Sequence, residues 1–187
     1  MNKKIVFEID KYPWPKNDYR PKTTIELCYN DDAFLIHFTS FETELRAVEV
    51  ENNTDVYRDS CMEIFLQFDP AHDARYINFE INPNGAMHCS CGTDRYDRVL
   101  VDPQVIDDVL KGRTRIKKDR WEAWVDVPVS FVKALIPTYE HKEGAVLRGN
   151  CYKCASGSDK PHHGMWNTIV WEKPDFHRPE FFKEIIL

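Results

Sequence analysis

A period of two running through residues 59–69 constrains the fold more than any other feature of the chain. Met62, Ile64, Leu66 and Phe68 are apolar, while Asp59, Cys61, Glu63, Phe65 and Gln67 take the alternate positions. Successive side chains of a strand point to opposite faces, so this segment presents one continuous apolar face only when extended. The same split recurs over 76–82, with Ile77, Phe79 and Ile81 on one side and Tyr76, Asn78, Glu80 and Asn82 on the other. Further runs rich in β-branched and aromatic residues lie at 24–29, 33–38, 46–51, 113–118, 121–127 and 145–152. Turn residues separate them, among them Asn30-Asp31-Asp32, Asp69-Pro70 and Pro83-Asn84-Gly85. Only 101–112 and 128–137 read as helical, and both are short. The pattern predicts an all-β fold, an antiparallel β-sandwich of jelly-roll-like form with one or two short helices.

The chain of 187 residues is 42% hydrophobic and 30% charged, enough to bury one substantial core. No repeat, low-complexity tract or Gly/Ser linker divides it, so residues 1–187 are expected to form a single domain. A formal net charge of -6 without a face-sized Lys/Arg cluster argues against nucleic acid as a partner. The basic stretch 113–120 reads as the solvated face of one strand. The N-terminal apolar run Ile5-Val6-Phe7 is too short for a signal-peptide core, and no segment approaches a membrane span. These readings predict a cytoplasmic protein with no membrane partner, whose six cysteines remain thiols.

Two long strands joined by a short loop are expected to pair antiparallel and to merge their polar faces. A third strand over 146–152 would add Arg148, Asn150 and Tyr152 to that surface. Carboxylates, amides, a guanidinium and phenols together suit hydroxyl groups, each of which donates and accepts hydrogen bonds. A solvated sheet face has the same appearance, so alternation alone leaves both readings open.

The motifs on these strands add a second argument. Asp59-Ser60-Cys61-Met62-Glu63-Ile64-Phe65-Leu66 resembles the Asp-Ser…Glu signature of family 9 carbohydrate-binding modules, and of the related DOMON-like sandwiches. Tyr76 to Asn82 with Gly85, Arg148 to Cys154, and Pro174 to Phe182 resemble further family segments in the same order. The resemblance implies a sandwich that binds sugars between two aromatic side chains, with the signature glutamate holding hydroxyls. Glu63 matches that glutamate. The family's two tryptophans are replaced by Val56-Tyr57 and by Phe176 or nearby Trp166, and its neighbouring strand has Arg and Asn where this chain has Asn78 and Glu80. The expected partner is a small saccharide or a glycan chain end. Tyr57, Trp166 and Phe176 would supply stacking, and Glu63, Asn78, Glu80, Arg148 and Asn150 would supply polar contacts.

The stretch Cys151-Tyr152-Lys153-Cys154, followed by His162-His163, raises redox and metal chemistry. A redox Cys-x-x-Cys opens a helix, whereas this one ends a strand. Zinc could draw on Cys89-x-Cys91 with Cys151 and Cys154, or on the two histidines. Strand alternation sends Cys151 and Cys154 to opposite faces, so no metal and no cofactor is expected. Two other function classes remain. A glycoside hydrolase would use Glu63 and Glu80 as its carboxyl pair. A haem module of the related sandwich type would draw on Met87-His88, or on Met165 with His162 or His163.

Overall fold

The computed structural model describes residues 3–187. Its strands are β1 (Lys3–Ile9), β2 (Thr23–Tyr29), β3 (Ala33–Ser40), β4 (Cys61–Gln67), β5 (Tyr76–Ile81), β6 (Met87–Gly92), β7 (Arg98–Leu100), β8 (Arg113–Ile116), β9 (Trp121–Pro128), β10 (Val146–Cys154), β11 (His163–Met165) and β12 (Lys183–Ile186). They form two sheets packed as a sandwich. One has the order β1-β2-β3-β9-β8; the other has the order β11-β10-β4-β5-β6-β7, with β12 pairing β10 beside β11. Every pairing in both sheets is antiparallel.

The alternation seen in the sequence sets the core between the sheets. Met62, Ile64 and Leu66 of β4, with Ile77, Phe79 and Ile81 of β5, meet Ile25 and Leu27 of β2, Phe34, Ile36 and Phe38 of β3, and Val125 and Val127 of β9. The two helices cap this core. α1 (Pro103–Val105) continues directly as a π-helical turn, Ile106–Leu110, and α2 (Val129–Leu135) follows β9. Asp102 caps α1 by accepting a hydrogen bond from the Gln104 N–H, and Ile106 and Leu110 turn inward. Among the described residues no helix is long and apolar enough to cross a membrane.

Some expectations change. Residues 46–51 alternate like a strand yet form none, and Val48 and Val50 are exposed. The Asp59 carboxylate takes the Val48 and Glu49 N–H groups at 2.9 Å each, so the donors that a sheet ladder would use are already engaged. Residues 87–92 form a strand that the alternation pattern did not single out. Met87, Cys89 and Cys91 are its core-facing side chains, packed as small hydrophobes. The basic stretch 113–120 keeps the exposed strand face expected of it, at the sheet edge, with Arg113 paired to Asp126 and with Lys117 and Arg120 paired to Glu122.

The largest change concerns the outer face of the β4–β5–β10 surface, which is not a solvated face. All residues of β4 and β5 are buried. Phe65, Tyr76 and Tyr152 on that face form a second apolar cluster with Val56, Met165, Ile169, Phe176 and Phe182. The C-terminal segment lies across the sheet and closes most of it, leaving one opening.

Candidate functional site

Sheet register arranges the outer face as a grid. Tyr152 on β10 stands opposite Glu63 on β4, Glu63 opposite Glu80 on β5, and Glu80 opposite His88 on β6. The adjacent row reads Asn150, Phe65, Asn78 and Ser90. On the other side, Cys154 stands opposite both Cys61 on β4 and His163 on β11.

Part of this grid floors a cleft of about 410 Å³, a size that suits a small ligand. Glu63, Glu80, His88 and Cys154 lie at its base; Tyr57, Arg95, Arg98, His163, Phe176 and His177 rise around it. The wall sits where it does because the C-terminal motif is pinned residue by residue. Asp175 accepts from Arg95 at 2.7 Å and forms an ion pair with Arg178 at 3.2 Å. Phe176 stacks on Tyr152 with ring centroids 4.1 Å apart, and its carbonyl accepts the Tyr152 hydroxyl at 3.0 Å. His177 Nε2 accepts from the Arg98 guanidinium at 3.2 Å while Nδ1 meets the Tyr76 hydroxyl at 2.8 Å. That pair of contacts fits a neutral imidazole. Burial first, then Arg98, Arg95 and His88, pull its pKa down to about 2.

The signature motif divides into structural and cleft-facing parts. Asp59 is fully buried and ion-paired to Arg46, and it also accepts the Asn82 side-chain amide at 2.9 Å. Ser60 accepts the Arg46 N–H at 3.1 Å. Both residues hold the 46–49 segment against the strand, leaving Glu63 to face the cleft. Glu63 is only 2% exposed. Burial, then Cys154 and Glu80, push it well above the ordinary carboxylate range, and the Cys154 thiol donates to its Oε1 at 3.0 Å. Burial raises Glu80 as well, but His88, Arg98 and the Asn78 amide, which donates at 2.9 Å, oppose the rise. Glu63 is therefore the more strongly raised of the pair, because it lacks the cationic and amide support that Glu80 has.

The residues proposed from sequence separate into three groups. Tyr57, Glu63, Glu80 and Phe176 line the cleft together. Asn78 lies behind it, fully buried, with its amide on Glu80 and its oxygen accepting the Ser90 hydroxyl at 2.5 Å, so it positions a cleft residue. Arg148, Asn150 and Trp166 are elsewhere. Arg148 donates to the Phe182 carbonyl at 2.8 Å. Asn150 bonds the Asn167 backbone in both directions, donating at 2.8 Å and accepting at 2.9 Å, and so fastens the chain crossing the sheet. Trp166 packs edge-on against Phe7 at 4.8 Å, beside the core between the sheets.

Arg95, Arg98 and His177 were not proposed as site residues from the sequence, and His88 was considered only as a haem ligand beside Met87. Arg95 sits in the β6–β7 connection, Thr93-Asp94-Arg95-Tyr96-Asp97, which reads as a polar turn, and Arg98 opens β7; only pairing of β6 beside β5 brings both to Glu80. The ligand types considered for haem are dispersed. Met87 points into the core while His88 faces the cleft, and the Met165 sulfur accepts the Ile169 N–H at 3.1 Å. The cysteines divide as alternation requires: Cys89, Cys91 and Cys151 face the core, and Cys61 and Cys154 face outward.

The fold recurs in known proteins. A Bacteroides uniformis protein that carries a carbohydrate-binding designation has a crystal structure matching 96% of this chain and 84% of its own, with a TM-score of 0.82 and 27% identity. A family 9 carbohydrate-binding module from Caldicellulosiruptor kristjanssonii, solved with cellotriose, matches 97% of this chain and 81% of its own, with a TM-score of 0.65 and 11% identity. The same source supplies a glucose complex with a TM-score of 0.62 at 11% identity, covering 91% of this chain and 78% of that one. An extracellular protein of Arthroderma benhamiae is 23% identical over 181 residues, 89% of this chain and 78% of that protein. The model of carbohydrate-binding family 9 matches residues 1–187 throughout, and the protein belongs to that family.

Proposed function

We propose that the cleft binds a small saccharide or the end of a glycan chain, without catalysis. The observation that carries this reading is the meeting of the Glu63/Glu80 pair, two guanidiniums and two aromatic side chains in one small-ligand cleft of a carbohydrate-binding family chain. Burial raises Glu63 well above the ordinary carboxylate range, so its carboxyl can donate as well as accept, while Glu80 offers acceptors, and the pair suits hydroxyls of either orientation. Arg95 and Arg98 add donors in fixed forks. Tyr57, 45% exposed, offers a free aromatic face, while Phe176, 8% exposed, presents an edge of a ring committed to Tyr152. One open platform and a polar floor support an affinity of roughly 0.1–1 mM, about -4 to -5.5 kcal/mol.

Isothermal titration with glucose, cellobiose, cellotriose and a panel of other mono- and oligosaccharides tests this. Tyr57→Ala and Arg95→Ala are expected to fold normally and to weaken binding at least about tenfold. Absence of heat with every sugar, or affinity unchanged in both variants, overturns the reading. The face-to-face carboxyls also fit a hydrolase, and turnover of aryl glycosides abolished by Glu80→Gln would favour that reading instead.

A further inference from the structure

Around Glu63 stand two buried thiols that sugar recognition leaves unused, Cys154 on the cleft floor and Cys61 across from it on β4. Cys61, Glu63 and Cys154 offer one ligand atom each, all within 4.8 Å of one another. The register produces this cluster directly: Cys61 and Cys154 are cross-strand partners, and Glu63 follows two residues along β4 on the same face. The Cys-x-x-Cys pair itself does not act together, because Cys151 faces the core. One of its cysteines is joined instead by a cysteine from the neighbouring strand.

Zinc–sulfur and zinc–oxygen bonds of about 2.3 and 2.0–2.2 Å at tetrahedral angles set ligand–ligand edges of roughly 3.6–3.8 Å. Cys154 Sγ and Glu63 Oε1 are 3.0 Å apart, so small side-chain rotations bring the three groups onto one face of such a tetrahedron. The thiols have weak partners otherwise. Cys61 makes a long contact of 3.9 Å to the Met62 carbonyl, and Cys154 reaches the Tyr57 carbonyl at 3.3 Å. A second observation points the same way. His163 stands opposite Cys154 on β11 and lines the same cleft; it is 8% exposed, and its Nδ1 is buried without a partner. Its other nitrogen is occupied by the Ser156 hydroxyl at 3.0 Å.

We propose that Cys61, Glu63 and Cys154 form a binding site for a thiophilic divalent cation of the zinc class, with the fourth position open to the cleft on the His163 side. Two sulfurs select against calcium and magnesium, which take oxygen ligands. Two thiolates and a carboxylate leave one net negative charge around a dication, and the guanidiniums of Arg95 and Arg98 in the same cleft offset it. Binding displaces the protons of the ligands and stabilises the fold by mass action.

The test uses the full chain, reduced and stripped with a chelator. Cobalt(II) is titrated in while thiolate-to-cobalt absorption is followed, and zinc(II) is then added to displace it. One equivalent per chain with a thiolate band is expected. Cys61→Ser and Cys154→Ser should each weaken binding at least about 100-fold, since even outer-sphere changes cost 10–100-fold. Cys28→Ser, on the other sheet, should leave binding intact. If a cysteine variant fails to fold, the near-isosteric Glu63→Gln should weaken binding at least about tenfold while keeping the circular dichroism of the native chain. A wild-type titration without a thiolate band, or a band retained in both cysteine variants, overturns the proposal. Sugar titrations of the metal-free protein read the saccharide site separately, so either result stands without the other.

Discussion

Glu63 and Glu80 stand directly opposite each other across the β4–β5 ladder, on the same face and both buried. Like charges so placed repel, and burial removes the water that would screen them. Proton uptake by Glu63, which lacks the cationic and amide support of Glu80 and is raised further, relieves the conflict. Glu63→Gln reproduces that neutral state with similar shape, so unfolding stability is expected to change by less than about 1 kcal/mol. Urea denaturation of Glu63→Gln measures this; a loss of several kcal/mol would mean that Glu63 is the ionised partner.

Lys153 is fully buried and its Nζ has three polar partners. It donates to the Cys154 carbonyl at 2.7 Å and to His162 Nε2 at 3.0 Å, and pairs with Glu42 at 3.0 Å. Lys153→Met leaves Glu42 buried and uncompensated, which should cost about 3–5 kcal/mol. Adding Glu42→Gln to that variant should recover part of the loss. A single variant as stable as the native chain would show that water reaches Glu42.

His162, His163 and His177 are held neutral, with pKa values pulled down by burial to about 3, 4 and 2. Depressed folded-state values contribute stability that is complete above the unfolded pKa near 6.5 and is lost as pH falls below it. Each histidine contributes a slope of about 1.4 kcal/mol per pH unit. Glu63 and Glu80, raised by burial, act with the opposite sign above about 4.5, so the decline is shallow from pH 6.5 and steepens below 4.5. Denaturation midpoints measured between pH 7 and 4 check the sign; a midpoint that holds or rises on acidification contradicts it.

Ile64 and Phe79 are adjacent on the inner side of the β4–β5 ladder and wholly buried. Ile64→Ala is expected to cost about 2–5 kcal/mol and Phe79→Ala about 3–5, against less than about 0.5 for Tyr57→Ala on the cleft rim. Chemical denaturation of the three variants separates core from site, and a Tyr57→Ala loss as large as that of Ile64→Ala would place Tyr57 in the core.

Strand identity was legible in the sequence along the central strands, where one face had to be apolar. Period-two alternation is a local property, and it placed Met62, Ile64, Leu66, Ile77 and Phe79 inside and put Glu63, Asn78 and Glu80 together on the opposite face. The same rule separated Cys151 from Cys154. It failed at 46–51, where the Asp59 carboxylate captured the backbone donors, and at 87–92, where cysteines served as core hydrophobes.

Only the tertiary structure decided what became of the outer face. Alternation says which side chains share a face but not what covers it, and here the C-terminal segment covers Phe65, Tyr76 and Tyr152. That cover also determined which candidates meet. It drew Phe176 and His177 to the floor carboxylates, and it turned Arg148 and Asn150 into fasteners of the crossing chain. Arg95 and Arg98 reached the cleft through strand order alone, because β6 pairs β5 and carries its hairpin alongside. Which residues lie on one strand face follows from a repeat of two residues. Which faces and loops converge follows from contacts between segments as far apart in the chain as Tyr76 and His177, and no local pattern encodes those.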